Sequence, residues 1–420
     1  MTRQGKSGPD TVFLTAACLF FLSGFSALLC QVIWQRVLGL FSGVDVYSVT
    51  IIVSAFMLGM GVGSIAGGYL ADRLSRNRLI AMFAFAELMI AVSALCSKWL
   101  YYDVLYQGFP GLGATPWLLA IVLFFSLLVP TFFMGITLPM LSRAMVLHHA
   151  EASFKVGFLY ALNTLGAACG SLLTGIFLVR HHGFEAALRV GACLNLLAMA
   201  GALGLYVFLH RRNGSSDTHA DDAATAITTP ATAVQPHQLS LQGWLLVYAY
   251  SGFIALALEI VWFRVLGVML KSTAFTFGIL LGLYLAGLAL GALAGLFFAP
   301  RSRRPITGFL VLQACITLYA ALSLSAFVHA VDTLPALSAI WQYLGQPGNL
   351  AMPFRLADIT PEFRAMYLLV APLLILPPTL LMGASFPFLQ AAVQNDLAFL
   401  GRRVGWLQTA NILGATAGSI

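Results

Sequence analysis

Two carboxylates, Glu87 and Glu259, stand in the middle of long apolar runs and have the most chemistry to offer. An ionised carboxylate at the centre of a membrane helix costs a few kcal/mol to insert. Each must therefore be paired, protonated or functional. Trp262 follows Glu259 by three positions, which on a helix places both on one face. There an aromatic ring adds a cation–π contact of about 0.5 to 2 kcal/mol to a bound cation. Gln31 and Trp34 repeat that spacing with a neutral amide in place of the acid. Tyr160 with Asn163, and Gln408 with Asn411, are also three apart; cavity lining and interhelical hydrogen bonding both fit them. A second kind of chemistry is offered by Asp72, followed by Arg73, Arg76 and Arg78. An acid beside a basic cluster suits a latch between helix ends, with topology-setting charge as the plain alternative.

Metal and nucleophilic chemistry are not indicated. Cys18, Cys30, Cys96, Cys169, Cys193 and Cys315 all fall inside apolar runs, with no pair at metal or redox spacing, and read as small packing residues. The eight histidines include no helical H-E-x-x-H. No cofactor, no metal and no catalytic site are expected within these 420 residues.

The elements that must position these groups are membrane helices. Hydrophobic residues make up 60% of the chain and charged ones 9%, against roughly a quarter charged in soluble domains. A helix crosses the hydrocarbon core with about 20 apolar residues, and in lipid only helices or closed barrels satisfy their own backbone. The long unalternating runs predict helices near 12–38, 47–71, 79–98, 116–142, 155–179, 184–209, 243–268, 274–299, 305–327, 365–391 and 404–420. The net charge of +7 does not imply nucleic acid, because the Lys and Arg gather in alternate connections, where they set orientation. Arg3, Lys6, the Arg73–Arg78 cluster, Arg143, Lys155, Arg211, Arg212, Arg301, Arg303, Arg304, Arg402 and Arg403 share one side, which places the N-terminus in the cytoplasm; Arg180 and Arg189 dissent.

The chain repeats itself. Ser23-Gly24-Phe25, Trp34, Arg36 and Leu38-Gly39 return as Ser251-Gly252-Phe253, Trp262, Arg264 and Leu266-Gly267, at a constant spacing of 228 positions (34 to 262). Gly59, Gly63 and Gly67 return as Gly287, Gly291 and Gly295, where small residues let helices approach closely. Pro130, Thr131, Met134, Gly135, Pro139 and Asn163 return as Pro378, Thr379, Met382, Gly383, Pro387 and Asn411, now at 248 (130 to 378). Each unit has an even number of spans, so the copies enter the membrane from the same side. The expected organisation is a six-helix repeat over 1–210, a disordered cytoplasmic linker over 211–240, and a second repeat over 241–420 with an external loop at 328–364. A short interfacial helix fits 334–345. The eleventh span is expected to be cut at Ile420, after about 26 Å at 1.5 Å per residue, with a twelfth to follow. Glu87 corresponds to Gln313, and Gln31 to Glu259, so each half keeps one carboxylate.

The run Gly68, Asp72, Arg73, Ser75, Arg76 and Arg78 resembles the signature loop of the major facilitator superfamily, with Ser75 in place of the usual glycine; in the second copy Pro300 stands where Asp72 stood. The resemblance implies that the acid and the basic cluster lock the cytoplasmic helix ends while the cavity faces outward. In that arrangement the first and seventh helices face a central cavity and the third and ninth brace it. Glu259 is then the functional candidate and Glu87 a buried hydrogen-bonding residue.

Ser23-Gly24-Phe25, Gln31, Trp34, Arg36, Leu38-Gly39, the glycine ladder ending in Leu70-Ala71-Asp72-Arg73, and Pro130-Thr131-Phe132-Phe133-Met134-Gly135 resemble the membrane part of bacterial fused facilitator/spermidine synthase proteins. That resemblance implies a bacterial inner-membrane protein that binds or moves a small solute, a polyamine or other organic cation, by rocking its two halves. It also implies a soluble aminopropyltransferase-like domain, and these residues contain no nucleotide loop for one. Two other readings follow. The chain anchors such a domain lying beyond it, or it is a non-transporting subunit that docks a protein partner through its external loops.

Overall fold

The computed structural model describes residues 11–42, 46–109, 115–214, 240–269, 276–302, 304–333, 366–394 and 396–419. These form helices α1 (Thr11–Ser42), α2 (Val46–Ala71), α3 (Arg76–Lys98), α4 (Pro116–Met145), α5 (Ala152–Leu173), α6 (Val179–Gly214), α7 (Leu241–Met269), α8 (Thr276–Phe298), α9 (Pro305–Thr333), α10 (Ala371–Val393) and α11 (Leu400–Ser419). Each answers to one expected span. Nearly all of the expected linker and the expected interfacial helix lie outside the described residues, although α6 continues to Gly214 and α9 to Thr333. The helical backbone of α6 is broken at Gly183, where φ is 76° and ψ 176°, a conformation open to glycine without a Cβ penalty.

The packing is dictated by small residues. A Cβ added to Gly63 would stand 2.1 Å from the Phe132 carbonyl oxygen, and one on Gly135 would stand 2.2 Å from that of Met60. So α2 and α4 meet backbone to backbone. The same contact recurs between α8 and α10, where Gly291 faces the Leu380 carbonyl at 2.0 Å and Gly383 that of Leu288 at 2.0 Å. Prolines 130 and 139 lie inside α4, and 377, 378 and 387 inside α10. A proline disrupts the preceding turn. The threonine that follows restores a donor there: Thr131 Oγ1 donates to the Leu127 carbonyl at 2.7 Å, and Thr379 Oγ1 to that of Ile375 at 2.8 Å.

The repeat is therefore present in the contacts as well as in the letters. Asn163 Nδ2 donates to the Phe20 carbonyl at 3.0 Å and Asn411 Nδ2 to that of Tyr248 at 3.3 Å, the Phe20 and Tyr248 positions being equivalent. The two halves meet along two seams, α2 against α11 and α5 against α8. Within the first half α6 lies against both α1 and α3; in the second half α9 has α10 as its main partner. Between α7 and α9 runs a groove of about 470 Å³ lined by Leu246, Tyr250, Ile254, Leu310, Gln313 and Thr317.

Candidate functional site

Glu259 is partly buried on α7, and its carboxyl faces the Tyr284 hydroxyl of α8. Tyr284 also approaches the Met382 sulfur of α10, at 3.8 Å. In the first repeat the matching positions are Gln31 and Phe56, so the acid and its phenol partner are lost together. A tyrosine hydroxyl buried in lipid needs a partner, and Phe56 has no hydroxyl to satisfy. At this pair of positions only the second repeat carries an acid. Tyr284 was not among the expected site residues; the 228-position spacing that aligns it with Phe56 was the signal that could have found it.

Below this pair the halves close over aromatic rings. Tyr160 of α5 stacks on Phe386 of α10, with centroids 4.2 Å apart, and lies within electrostatic reach of Tyr248 and Tyr284. Tyr160 is the expected residue that the fold brings to the meeting of the two repeats. Asn163 and Asn411 act as interhelical fasteners, pinning α5 to α1 and α11 to α7. Gln408, equivalent to Tyr160, is partly buried on α11, with its Oε1 lacking a hydrogen-bond partner among the described residues.

The tryptophans are placed differently from the acid. Trp34 is 2% exposed and donates from Nε1 to Ser97 Oγ at 2.7 Å, so it packs α1 against α3. Trp262 is buried among Leu266, Ile279, Leu280 and Tyr284. It shares the α8-facing side of α7 with Glu259, and its ring serves as wall rather than open platform.

The expected latch is built around one residue. Asp72 follows α2, and its side chain is 6% exposed. Its Oδ1 accepts from the Gly401 backbone N–H at 2.8 Å, and its Oδ2 accepts from Arg402 N at 3.0 Å and Arg402 Nε at 3.1 Å. A carboxylate at a helix N-terminus satisfies orphan N–H groups and meets the positive end of the helix dipole. Asp72 thus caps α11 across the seam. Gly68 and Gly401 allow this, because a Cβ on Gly68 would sit 2.8 Å from the Gly401 carbonyl oxygen. Arg402 is held in turn over the Phe399 ring, 4.4 Å from its centroid. Of the three arginines expected to complete the lock, Arg76 donates from Nε to the Ala144 carbonyl at 3.0 Å, inside its own repeat, and Arg73 and Arg78 are exposed. The partner is Arg402, which sequence reasoning had taken only as topology charge. Among the described residues no such group appears on the α5 side of the interface: Ser153 Oγ of α5 donates to the Pro387 carbonyl of α10 at 3.2 Å, and Arg301 donates to the Phe297 carbonyl of its own turn.

Glu87 is completely buried between helices, and neither of its oxygens has a hydrogen-bond partner among the described residues. The neighbour nearest in kind to the expected hydrogen-bonding partner is Ser23 of α1.

The fold on which these groups sit has solved counterparts. A bacterial homologue of the iron transporter ferroportin, in an outward-facing state, superposes with a TM-score of 0.58 at 13% identity, over 97% of this chain and 89% of that one. FucP, a Major Facilitator Superfamily transporter in the outward conformation, gives 0.50 at 12% identity over 96% of this chain and 89% of that one. At such identities the likeness establishes the architecture: this chain is an all-α polytopic protein with the major facilitator fold. No family model matches it, and no curated protein matches it.

Proposed function

We propose that the chain is a solute-binding module that works by rocking its two repeats, with Glu259 and Tyr284 as the recognition pair and an organic cation, of which polyamines are one class, as the solute. The observation that carries this reading is the joint replacement of Gln31 and Phe56 by Glu259 and Tyr284, which builds one acidic, hydrogen-bonding locus beside the Tyr160–Phe386 stack. Acidic groups inside a membrane bundle mark cation or proton pathways, and surrounding aromatic faces favour ammonium groups. The pairing of Asp72 with α11 supports a gate at the arginine-rich end, which the distribution of Lys and Arg assigns to the cytoplasm.

The test is uptake and binding of labelled spermidine in proteoliposomes by the wild-type chain and by Glu259→Gln. Loss of at least tenfold in binding, with a normally folded protein, is the expected result. Unchanged binding by Glu259→Gln would remove the acid from the site. Cysteine labelling at Arg76 and Lys98 tests the orientation, with Arg76 expected to react from the cytoplasmic side.

A further inference from the structure

A second polar locus lies inside the first repeat, away from the contact between halves. Phe20 meets the Phe83 ring at 6.2 Å and Trp34 bonds to Ser97, so long side chains of α1 and α3 meet in a fixed register, with α6 packed against both helices. Ser23 and Glu87 fall between those two contacts and stand level. Ser23 lies beside the carboxyl at a geometry outside that of a hydrogen bond.

Helix α6 closes the third side. Ser26 Oγ donates to the Gly191 carbonyl at 2.8 Å, and Gly201 lies against Leu19, while Lys98 pairs with Glu185 at 2.8 Å. Both antiparallel registers bring Asn195 to the level of Ser23 and Glu87. Asn195 is 0% exposed, like Glu87, and both its Oδ1 and Nδ2 lack a hydrogen-bond partner among the described residues. On the remaining side α4 presents Phe133, fixed by its contact with Phe85. No charged group acts on the carboxyl from any of these helices.

Four unsatisfied polar atoms at one level of a sealed bundle are costly, because each forfeits its hydration without compensation. One positive charge satisfies the oxygens of this set, while Asn195 Nδ2, a donor, is left to the carboxylate. The charge would neutralise Glu87 and accept Asn195 Oδ1 and Ser23 Oγ as neutral oxygen partners. We propose that Ser23, Glu87 and Asn195 form a buried site for one small cation, a proton or a sodium ion, enclosed by α1, α3 and α6. The chemistry common to both is a single desolvated positive charge held by a carboxylate and neutral oxygens. The site is independent of the Glu259 reading. In the second repeat the acid is Gln313, so the site belongs to the first half alone.

The test uses the full chain carrying Glu259→Gln, which leaves Glu87 as the buried carboxyl and separates this site from the recognition pair. Thermal unfolding is followed in sodium chloride and in choline chloride, and the protonated-carboxyl C=O band is followed by pH-difference infrared spectroscopy. A sodium site gives an unfolding midpoint that rises with sodium concentration, and the rise is abolished by adding Glu87→Gln. A proton site gives no sodium response and a carboxyl band that disappears with Glu87→Gln. If Glu87→Gln fails to accumulate, Asn195→Ala reads the same site through a displaced band or a weakened sodium response. A chain whose sodium response and carboxyl band are untouched by both Glu87→Gln and Asn195→Ala overturns the proposal.

Discussion

Asp72 and Arg402 lie 330 positions apart, in opposite repeats, and meet with the carboxylate Oδ2 3.1 Å from the guanidinium Nε. The same carboxylate holds two backbone N–H groups of α11, so the contact is a helix cap with an ion pair added. Hydrogen bonds to a charged group are each worth about 1.5–3 kcal/mol. Asp72→Asn keeps one acceptor and loses the charge. It is expected to destabilise the closed seam by about 1–3 kcal/mol and to raise the labelling rate of a cysteine placed at the α2–α11 contact. Arg301→Gln, which removes only a bond to its own turn, is expected to leave that rate within twofold. Equal effects of the two substitutions would reduce Asp72 to a topology charge.

Glu259 and Tyr284 should behave as a unit. Residues that face one another closely show coupling energies of about 0.5–3 kcal/mol in double-mutant cycles. Glu259→Gln and Tyr284→Phe are therefore expected to be non-additive in spermidine binding, the double variant losing little more than the worse single one. Additive losses would place the two side chains in separate roles.

The asparagine fasteners permit a paired comparison. Asn163→Ala and Asn411→Ala each remove one side-chain hydrogen bond to a backbone carbonyl, worth about 1 kcal/mol. The longer bond of Asn411, 3.3 Å against 3.0 Å, predicts the smaller loss of thermal stability. If either variant instead abolishes solute binding with stability intact, that asparagine lines the pathway.

Two glycines separate backbone conformation from space. Nothing lies within 4 Å of a Cβ on Gly183, whose φ is 76° and ψ 176°, so Gly183→Ala is expected to cost only the backbone strain of that glycine-favoured region, about 1–3 kcal/mol. Gly135→Ala drives a methyl to 2.2 Å from the Met60 backbone and is expected to forbid the α2–α4 contact, seen as loss of folded protein in detergent. Comparable midpoints for the two variants would contradict the close packing described above.

The helical fold was legible because insertion in lipid leaves a large signature: apolar length, alternate basic connections and a letter-by-letter repeat. The acid of the site was legible for the same reason, since Glu259 interrupts an apolar run at a place where its counterpart is Gln31. Partners were harder. Spacing along one helix pointed to Trp262 and to Arg76, whereas the contacts run to Tyr284 on α8 and to Arg402 on α11, which only the assembly of helices brings near. The same limit applies to Trp34, whose indole is spent on Ser97 of α3, a packing choice that the i+3 rule cannot see. Asn163 and Asn411 fitted two roles in the sequence, and the bonds to Phe20 and Tyr248 give them the structural one.

The two seams have different mechanics. On the α5 side the contacts between the halves are neutral: Ser153 bonds to the Pro387 carbonyl of α10, and the Ser171 hydroxyl donates to the Gly278 carbonyl of α8 at 2.9 Å; the α2–α11 seam carries the only ionic cap among the described residues. One edge is thus held by neutral contacts and the other by an ionic clasp. The Asp72 side chain is 6% exposed and that of Arg402 36%, so salt reaches the guanidinium half of the pair while the two backbone N–H bonds of the cap stay sheltered. If the repeats rock as proposed, opening this clasp exposes the first backbone N–H groups of α11, so any group that replaces the Asp72 carboxylate there holds the seam open.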